Sequence, residues 1–134
     1  MTMLNYWLDK IGTSGILLGP AISAADLVIK GKYTGPEQLY PGTLVLTGGL
    51  AAWNVAKCMR EKEKGIKRSP LVHLGRFLET GGASLTAYKL GTGSVDNIYR
   101  SFGPAAIGIP AGAFLEYVIG PIQERFSKKY KTFE

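Results

Sequence analysis

A charged run in the middle of the chain separates two apolar halves. Residues 57–70 carry six basic and two acidic side chains, whereas the sequence on each side is mostly apolar and rich in glycine. Turn-forming residues divide each half into two apolar segments, which have the length of long helices. The four segments are residues 12–30, 42–58, 71–92 and 102–123.

This pattern predicts an all-α fold made of four apolar, glycine-rich helical segments. We expect one domain over residues 1–134, with two helical hairpins and short amphipathic helices at both ends. One terminal helix is expected over residues 2–11, where Leu4, Trp7 and Leu8 recur at helical spacing. The expected parts are the hairpin 12–58, the basic connector 57–70, the hairpin 71–123 and the basic tail 124–134.

Glycine and proline mark the expected helix boundaries. Gly65 is expected to stop the helix that enters the connector, and Pro70 to block the start of another helix before it. Pro20 lies inside the first apolar segment, where it either kinks the helix or makes Gly19-Pro20 its true start.

Small side chains recur at four-residue spacing within the segments and therefore share one helical face. Such faces let a second helix approach closely. The predicted helix-packing residues are Gly15, Gly19, Ser23, Gly48, Ala52, Gly108 and Gly112.

A shift of 63 residues aligns the two halves loosely. It superimposes Gly19 on Gly82, Pro41 on Pro104 and Gly49 on Gly112. This alignment suggests an internal duplication, as a hypothesis, in which each half forms one hairpin.

The basic side chains of the connector admit two interpretations. They form either a solvated linker or a surface that faces a polyanion, such as nucleic-acid phosphate or acidic lipid head groups. The predicted polyanion-facing residues are Lys57, Arg60, Lys62, Lys64, Lys67 and Arg68.

Lipid or protein could surround the apolar segments. If all four segments cross a bilayer, one side holds eleven basic residues and the other only Lys30, Lys32 and Arg100, with both termini cytoplasmic. The mean hydropathy of +0.06 is low for such a protein, however, and the third segment carries Arg76, Glu79 and Lys89. These features favour helices surrounded by neighbouring protein.

The sequence contains no recognisable catalytic, metal or cofactor motif. One histidine and one cysteine are too few for a convincing zinc or haem site. Glu79 and Glu116 could form an acid–base pair, but nothing in the sequence brings them together, and a structural ion pair is the simpler expectation. We expect a non-enzymatic protein with no catalytic residues, no metal and no cofactor.

The apolar, glycine-rich hairpins and the basic connector resemble, over residues 12–123, the hydrophobic helical coat proteins of spindle-shaped archaeal viruses. The resemblance implies a capsid subunit, located in the virion, whose helices pack in a lattice and whose basic residues lie near a DNA genome. Expected partners are copies of the same chain and, through its phosphate backbone, nucleic acid. The alternative is a small four-span membrane protein in contact with lipid, either an accessory subunit of a membrane complex or a holin-like pore.

Overall fold

The computed structural model describes residues 3–92 and 98–127, and all regular structure in these ranges is helical. This confirms the predicted all-α class. The helices are α1 (Met3–Lys30), α2 (Tyr40–Glu63), α3 (Pro70–Thr92), α4 (Ile98–Phe114) and α5 (Gly120–Phe126); a 3₁₀ turn (Pro36–Leu39) precedes α2, and a π-helical turn (Leu115–Ile119) joins α4 to α5.

The four long helices lie in sequence order, side by side. α1 packs closely on α2, α3 packs closely on α4, and a smaller contact joins α2 to α3. Within the described residues α1 makes no comparable contact with α3 or α4. The helices therefore form an open layer, in which both broad faces are accessible.

The first helix is longer than the sequence suggested. The expected terminal helix 2–11 and the segment 12–30 form one continuous helix, α1, which passes through Pro20. The ring of Pro20 is exposed, while its neighbour Gly19 is buried against α2, where a Cβ would lie 2.6 Å from the Gly42 carbonyl oxygen. Packing against α2 thus favours a continuous helix over the break that proline alone would favour.

The fourth segment also continues beyond its expected end. The π-helical turn contains the hydrogen bond from the Gly120 N–H to the Leu115 carbonyl. Pro121 follows directly, and a proline ring would clash with the carbonyl four residues earlier in a regular α-helix. The wider turn relieves this clash. The predicted basic tail is described only as far as Ser127, so Lys128, Lys129 and Lys131 lie outside the described residues.

The connector has defined ends. Gly65 adopts a left-handed conformation (φ 69°), and the N–H groups of Gly65 and Ile66 bond back to the carbonyls of Lys62 and Glu61. This is a Schellman termination of α2. The next helix does not begin before Pro70, as expected, and Pro70 is the first residue of α3. The buried Ser69 accepts a hydrogen bond from the Val72 N–H at the start of this helix.

Glycines bring the backbones of each hairpin into direct contact. A Cβ at Gly15 would lie 2.7 Å from the Gly49 Cα, and one at Gly82 would lie 2.5 Å from the Pro104 carbonyl oxygen. No side chain fits at such positions without moving a backbone, and the contacts hold the helices of each hairpin close together.

The hydrophobic interior is small. The buried hydrophobic side chains among the described residues are those of Leu50, Ala56, Val72, Ala83, Ala87 and Leu90. Half of them are alanines, and most larger apolar side chains lie on the outer surface. The interior of the layer is occupied instead by polar and charged groups.

Candidate functional site: a buried charge network

Charged side chains from three helices and the connector meet inside the layer. α2 contributes Lys57 and Glu61, one helical turn apart, and α3 contributes Arg76. Glu116 comes from the π-helical turn, and Arg68 from the connector. Glu116 lies 40 or more residues from the others in the sequence. The packing of α2 on α3 and of α3 on the π-helical turn brings these residues together.

Arg76 is the centre of this network. Its Nη1 and Nη2 atoms donate to the two carboxylate oxygens of Glu61 at 2.6 and 2.7 Å, and its Nε donates to Glu116 Oε2 at 2.9 Å. A fourth contact joins Nη1 to the Cys58 sulfur at 3.3 Å. The two-pronged contact with Glu61 requires the planar guanidinium group of arginine, which lysine lacks.

Arg68 ties the connector to the same network. Its Nε lies 2.9 Å from both carboxylate oxygens of Glu124, and its Nη1 donates to Glu61 Oε2 at 2.9 Å. The connector is therefore held against α2 and α5 by charge-assisted hydrogen bonds, and it does not behave as a purely solvated linker.

Lys57 occupies an aromatic niche beside the network. Its ammonium group donates to Glu116 Oε2 and to the Tyr117 hydroxyl, and it lies 4.0 Å from the centre of the Trp53 ring. The ring contributes a cation–π attraction in addition to the ion pair. The contacts of Lys57 join the first hairpin to the second.

Glu61 lies three residues after the end of the apolar segment 42–58. Its carboxylate accepts hydrogen bonds from two arginines, Arg68 and Arg76. Burial opposes ionisation of this carboxyl, but hydrogen bonds and attraction from Arg76 and Arg68 prevail and lower the pKa of Glu61 below its ordinary value. The network thus keeps Glu61 ionised.

A second polar cluster lies next to Glu116 and includes Glu79 and Asn54. The Asn54 amide donates to Thr80 Oγ1 at 2.8 Å, and the Glu79 carboxyl lies beside that of Glu116. Within the described residues, both oxygens of Glu79, Oε1 of Glu116 and Oδ1 of Asn54 are buried and accept no hydrogen bond. The packing of α3 on the π-helical turn thus brings together two carboxyl groups that the sequence gave no reason to pair.

The charges of the two clusters balance if one carboxyl is protonated. The cations are Lys57, Arg68 and Arg76, and the carboxylates are Glu61, Glu79, Glu116 and Glu124. A protonated Glu79 would equalise the charges and would supply a donor for Glu116 Oε1. The two clusters can therefore form one nearly neutral, hydrogen-bonded network that holds the helices together.

The structure divides the six predicted polyanion-facing residues into two sets. Lys57 and Arg68 belong to the network, and Arg60 pairs with Asp9 of α1 at 3.2 Å. The side chains of Lys62, Lys64 and Lys67 are exposed. Sequence reasoning missed this division because three of the carboxylates that engage the first set are distant in sequence: Asp9, Glu116 and Glu124.

The predicted helix-packing residues also differ in their surroundings. Gly15, Gly19 and Ser23 face α2, while Gly108 and Gly112 face α3. Gly48 faces open space, whereas its neighbour Gly49 contacts α1, and Ala52 is half-buried. The four-residue spacing predicted a small-residue face on α2. The glycine that contacts α1, however, is Gly49, one position after the predicted Gly48.

No group of three or more metal-binding side chains occurs within the described ranges. Comparison of the chain with protein-family models, with curated proteins and with solved structures finds no significant match.

Proposed function

We propose that the chain is a small integral membrane protein with a structural role, whose four long helices cross the bilayer and pack against other membrane helices in a larger assembly. The observation that carries this proposal is the inverted distribution of side chains, with charged groups inside and large apolar groups outside.

The counts of exposed and buried side chains support this inverted distribution. Among the described residues, twenty-three large hydrophobic side chains are exposed, whereas six hydrophobic side chains are buried. Five charged residues are nearly inaccessible. In water such a surface would be an extensive apolar patch. In lipid the same surface is favourable, and the paired charges are shielded from the hydrocarbon.

The outer helices of the layer supply the most apolar stretches. Within the described residues, Met3–Lys30 and Phe102–Phe126 are long and apolar enough to cross a membrane by length and composition. Only 11% and 22% of their most apolar windows are buried, which is unlike the core helix of a water-soluble protein. The less apolar α2 and α3 lie between them and carry most of the network.

The two ends of the layer differ in positive charge. The pairs Arg60–Asp9 and Arg68–Glu124 place the beginning of α1, the connector and α5 at one end. That end carries most of the basic side chains, which supports a cytoplasmic orientation under the positive-inside rule. The opposite end holds Lys30, Lys32, Lys89 and Arg100.

An open glycine on the outer face of α2 supports a partner among membrane helices. Gly48 has no other group within 4 Å of the position of a Cβ. Small residues on an exposed helical face let a second helix approach closely in lipid.

Membrane flotation followed by alkaline carbonate extraction tests the proposal. The expressed protein is expected to float with lipid vesicles in a density gradient and to stay in the membrane pellet after carbonate. Protein that remains soluble, or that sediments as lipid-free particles, would contradict membrane integration.

Cysteine labelling tests the orientation independently. In a Cys58→Ala background, Lys67→Cys reports on the connector and Lys32→Cys on the loop between α1 and α2, and both replace an exposed lysine. An impermeant maleimide is expected to label the two variants from opposite sides of sealed vesicles. Labelling from the same side would mean an even number of crossings between these positions and would reject the four-span arrangement, in which α2 alone crosses between them.

A viral coat subunit is the second candidate. It is favoured by the exposed Lys62, Lys64 and Lys67 at one end of an apolar layer, an arrangement that could face DNA while the layer packs against other copies. Lipid-free particles whose DNA binding weakens steeply with added salt would support this candidate over the first.

A further inference from the structure

We propose that the outer groove between α3 and α4 binds an anionic phospholipid. One acyl chain lies along the apolar floor of the groove, and the phosphate lies between Lys89 and Arg100. This inference rests on the membrane placement proposed above and adds a specific ligand to it.

The groove has the shape and lining of an acyl-chain site. It is open to the outside and has a volume of about 1220 Å³ between the outward faces of the two helices. It is lined by the exposed side chains of Phe77, Leu85 and Ile107 and, on its floor, by Gly81 and Gly103, where an added Cβ would meet no other group within 4 Å. The surface thus offers apolar contact without a side chain blocking its middle.

The length of the groove matches one leaflet of a bilayer. Phe77 and Lys89 lie twelve residues apart on α3, which corresponds to about 18 Å along a helix. Half of the hydrocarbon thickness of a bilayer is about 15 Å. A lipid chain that begins at the membrane surface therefore reaches the deep end of the groove.

Two basic residues, Lys89 and Arg100, line the shallow end of the groove. The Lys89 ammonium donates to the main-chain carbonyl of Arg100 at 3.4 Å, which places it at the first turn of α4. None of the carboxylates in the described part of the chain forms an ion pair with Lys89 or Arg100. The positive end of the α4 dipole adds to this charge. Cations at the mouth of an apolar groove complement an anionic head group above an acyl chain.

Lipid retention after reconstitution tests this site. The protein is incorporated into vesicles of equal parts phosphatidylcholine and phosphatidylglycerol, extracted in mild detergent and washed, and the retained lipids are counted by mass spectrometry. We expect phosphatidylglycerol to be enriched on the wild-type protein. The double variant Lys89→Gln/Arg100→Gln is expected to lose this enrichment, on the order of tenfold.

Two further variants separate the groove from general electrostatics. Gly81→Phe fills the floor without changing a charge and is expected to reduce retention of phosphatidylglycerol. Lys62→Gln/Lys67→Gln removes two exposed cations at the opposite end and is expected to retain the enrichment.

Three outcomes would overturn the proposal. They are absence of enrichment on the wild-type protein, equal loss of enrichment in both double variants, and a change of oligomeric state in Gly81→Phe with unchanged lipid retention, which would assign the groove to a second copy of the chain. Protein that floats with the vesicles but shows no enrichment contradicts the lipid site alone, whereas protein that fails to float contradicts the membrane placement as well.

Discussion

Arg76 and Glu61 form a two-pronged ion pair, with contacts of 2.6 and 2.7 Å between their nitrogen and oxygen atoms. The same guanidinium group bonds to Glu116, so a single side chain of α3 joins α2 to the helix that follows α4. Apart from this network, the described residues of the two hairpins meet mainly through the modest contact between α2 and α3. The relative position of the hairpins therefore depends strongly on Arg76.

Replacing Arg76 by leucine is expected to lower the free energy of unfolding by about 3–5 kcal/mol, because Glu61 and Glu116 lose a buried cation. Arg76→Lys is expected to recover only part of the loss, since an ammonium group cannot reproduce the two-pronged contact. Arg125→Leu, which alters an exposed arginine, is the control and should stay within about 0.5 kcal/mol of wild type. Thermal unfolding in a non-ionic detergent, followed by tryptophan fluorescence, checks this predicted order of stability among the variants. Equal effects of Arg76→Leu and Arg125→Leu would contradict the role of Arg76.

The two neighbouring carboxyls Glu79 and Glu116 are expected to respond differently to the same chemical change. Glu116→Gln weakens bonds to Lys57 and Arg76 and is expected to cost about 2–4 kcal/mol. Glu79→Gln is expected to be neutral or stabilising, because neither oxygen of Glu79 accepts a hydrogen bond from the described residues and the amide can donate to Glu116. Melting temperatures of the two variants, measured side by side, provide the check. Similar losses in both variants would mean that Glu79 is ionised and paired.

Part of this architecture follows from the sequence, because its signals are local. Apolar segments of helical length predicted the all-α class, and Gly65 marked the end of α2. The network could not be predicted, since Arg76 lies 15 residues from Glu61 and 40 from Glu116, and only the packing of whole helices decides which charges meet. The continuous helix through Pro20 has the same origin, because close contact with α2 outweighs a local preference.

The two halves of the chain share one close contact between their helices. The 63-residue shift carries the close contact of Gly12 with Trp53 onto that of Gly75 with Glu116. The backbone geometry of the hairpins is thus alike at this point, although an aromatic residue in one is replaced by a charged residue in the other. The duplication stays a hypothesis, but it gives a physical reason for the similar pairing of the helices.

Acid is expected to weaken the network through Glu61. Its pKa is lowered in the folded protein, so its stabilising contribution is complete above its ordinary value of 4.5 and is lost as the pH falls through the folded-state value. Between pH 7 and pH 5 this contribution should be constant. Glu61→Gln is expected to be less stable than wild type at pH 7 and to lose less further stability below pH 4.5. Unfolding curves for both proteins over this range test the assignment, and parallel pH profiles would exclude Glu61 as a source of the acid sensitivity.

Adjacent glycines on α2 allow a matched test of close helix packing. A Cβ at Gly49 would lie 2.7 Å from the backbone of Gly15, whereas a Cβ at Gly48 would meet no other group within 4 Å. Gly49→Ala is therefore expected to force α1 and α2 apart and to cost about 1–3 kcal/mol. Gly48→Ala is expected to stabilise the protein by up to about 1 kcal/mol, because alanine favours a helix more than glycine does. The same contrast is expected on α3, where Gly82 contacts Pro104 and Gly81 faces the open groove.

The sequence alone predicted Gly48 as the packing residue, so the two single variants on α2 also decide between the sequence pattern and the observed register. If Gly48→Ala destabilises the protein more than Gly49→Ala does, the register of the first hairpin is wrong.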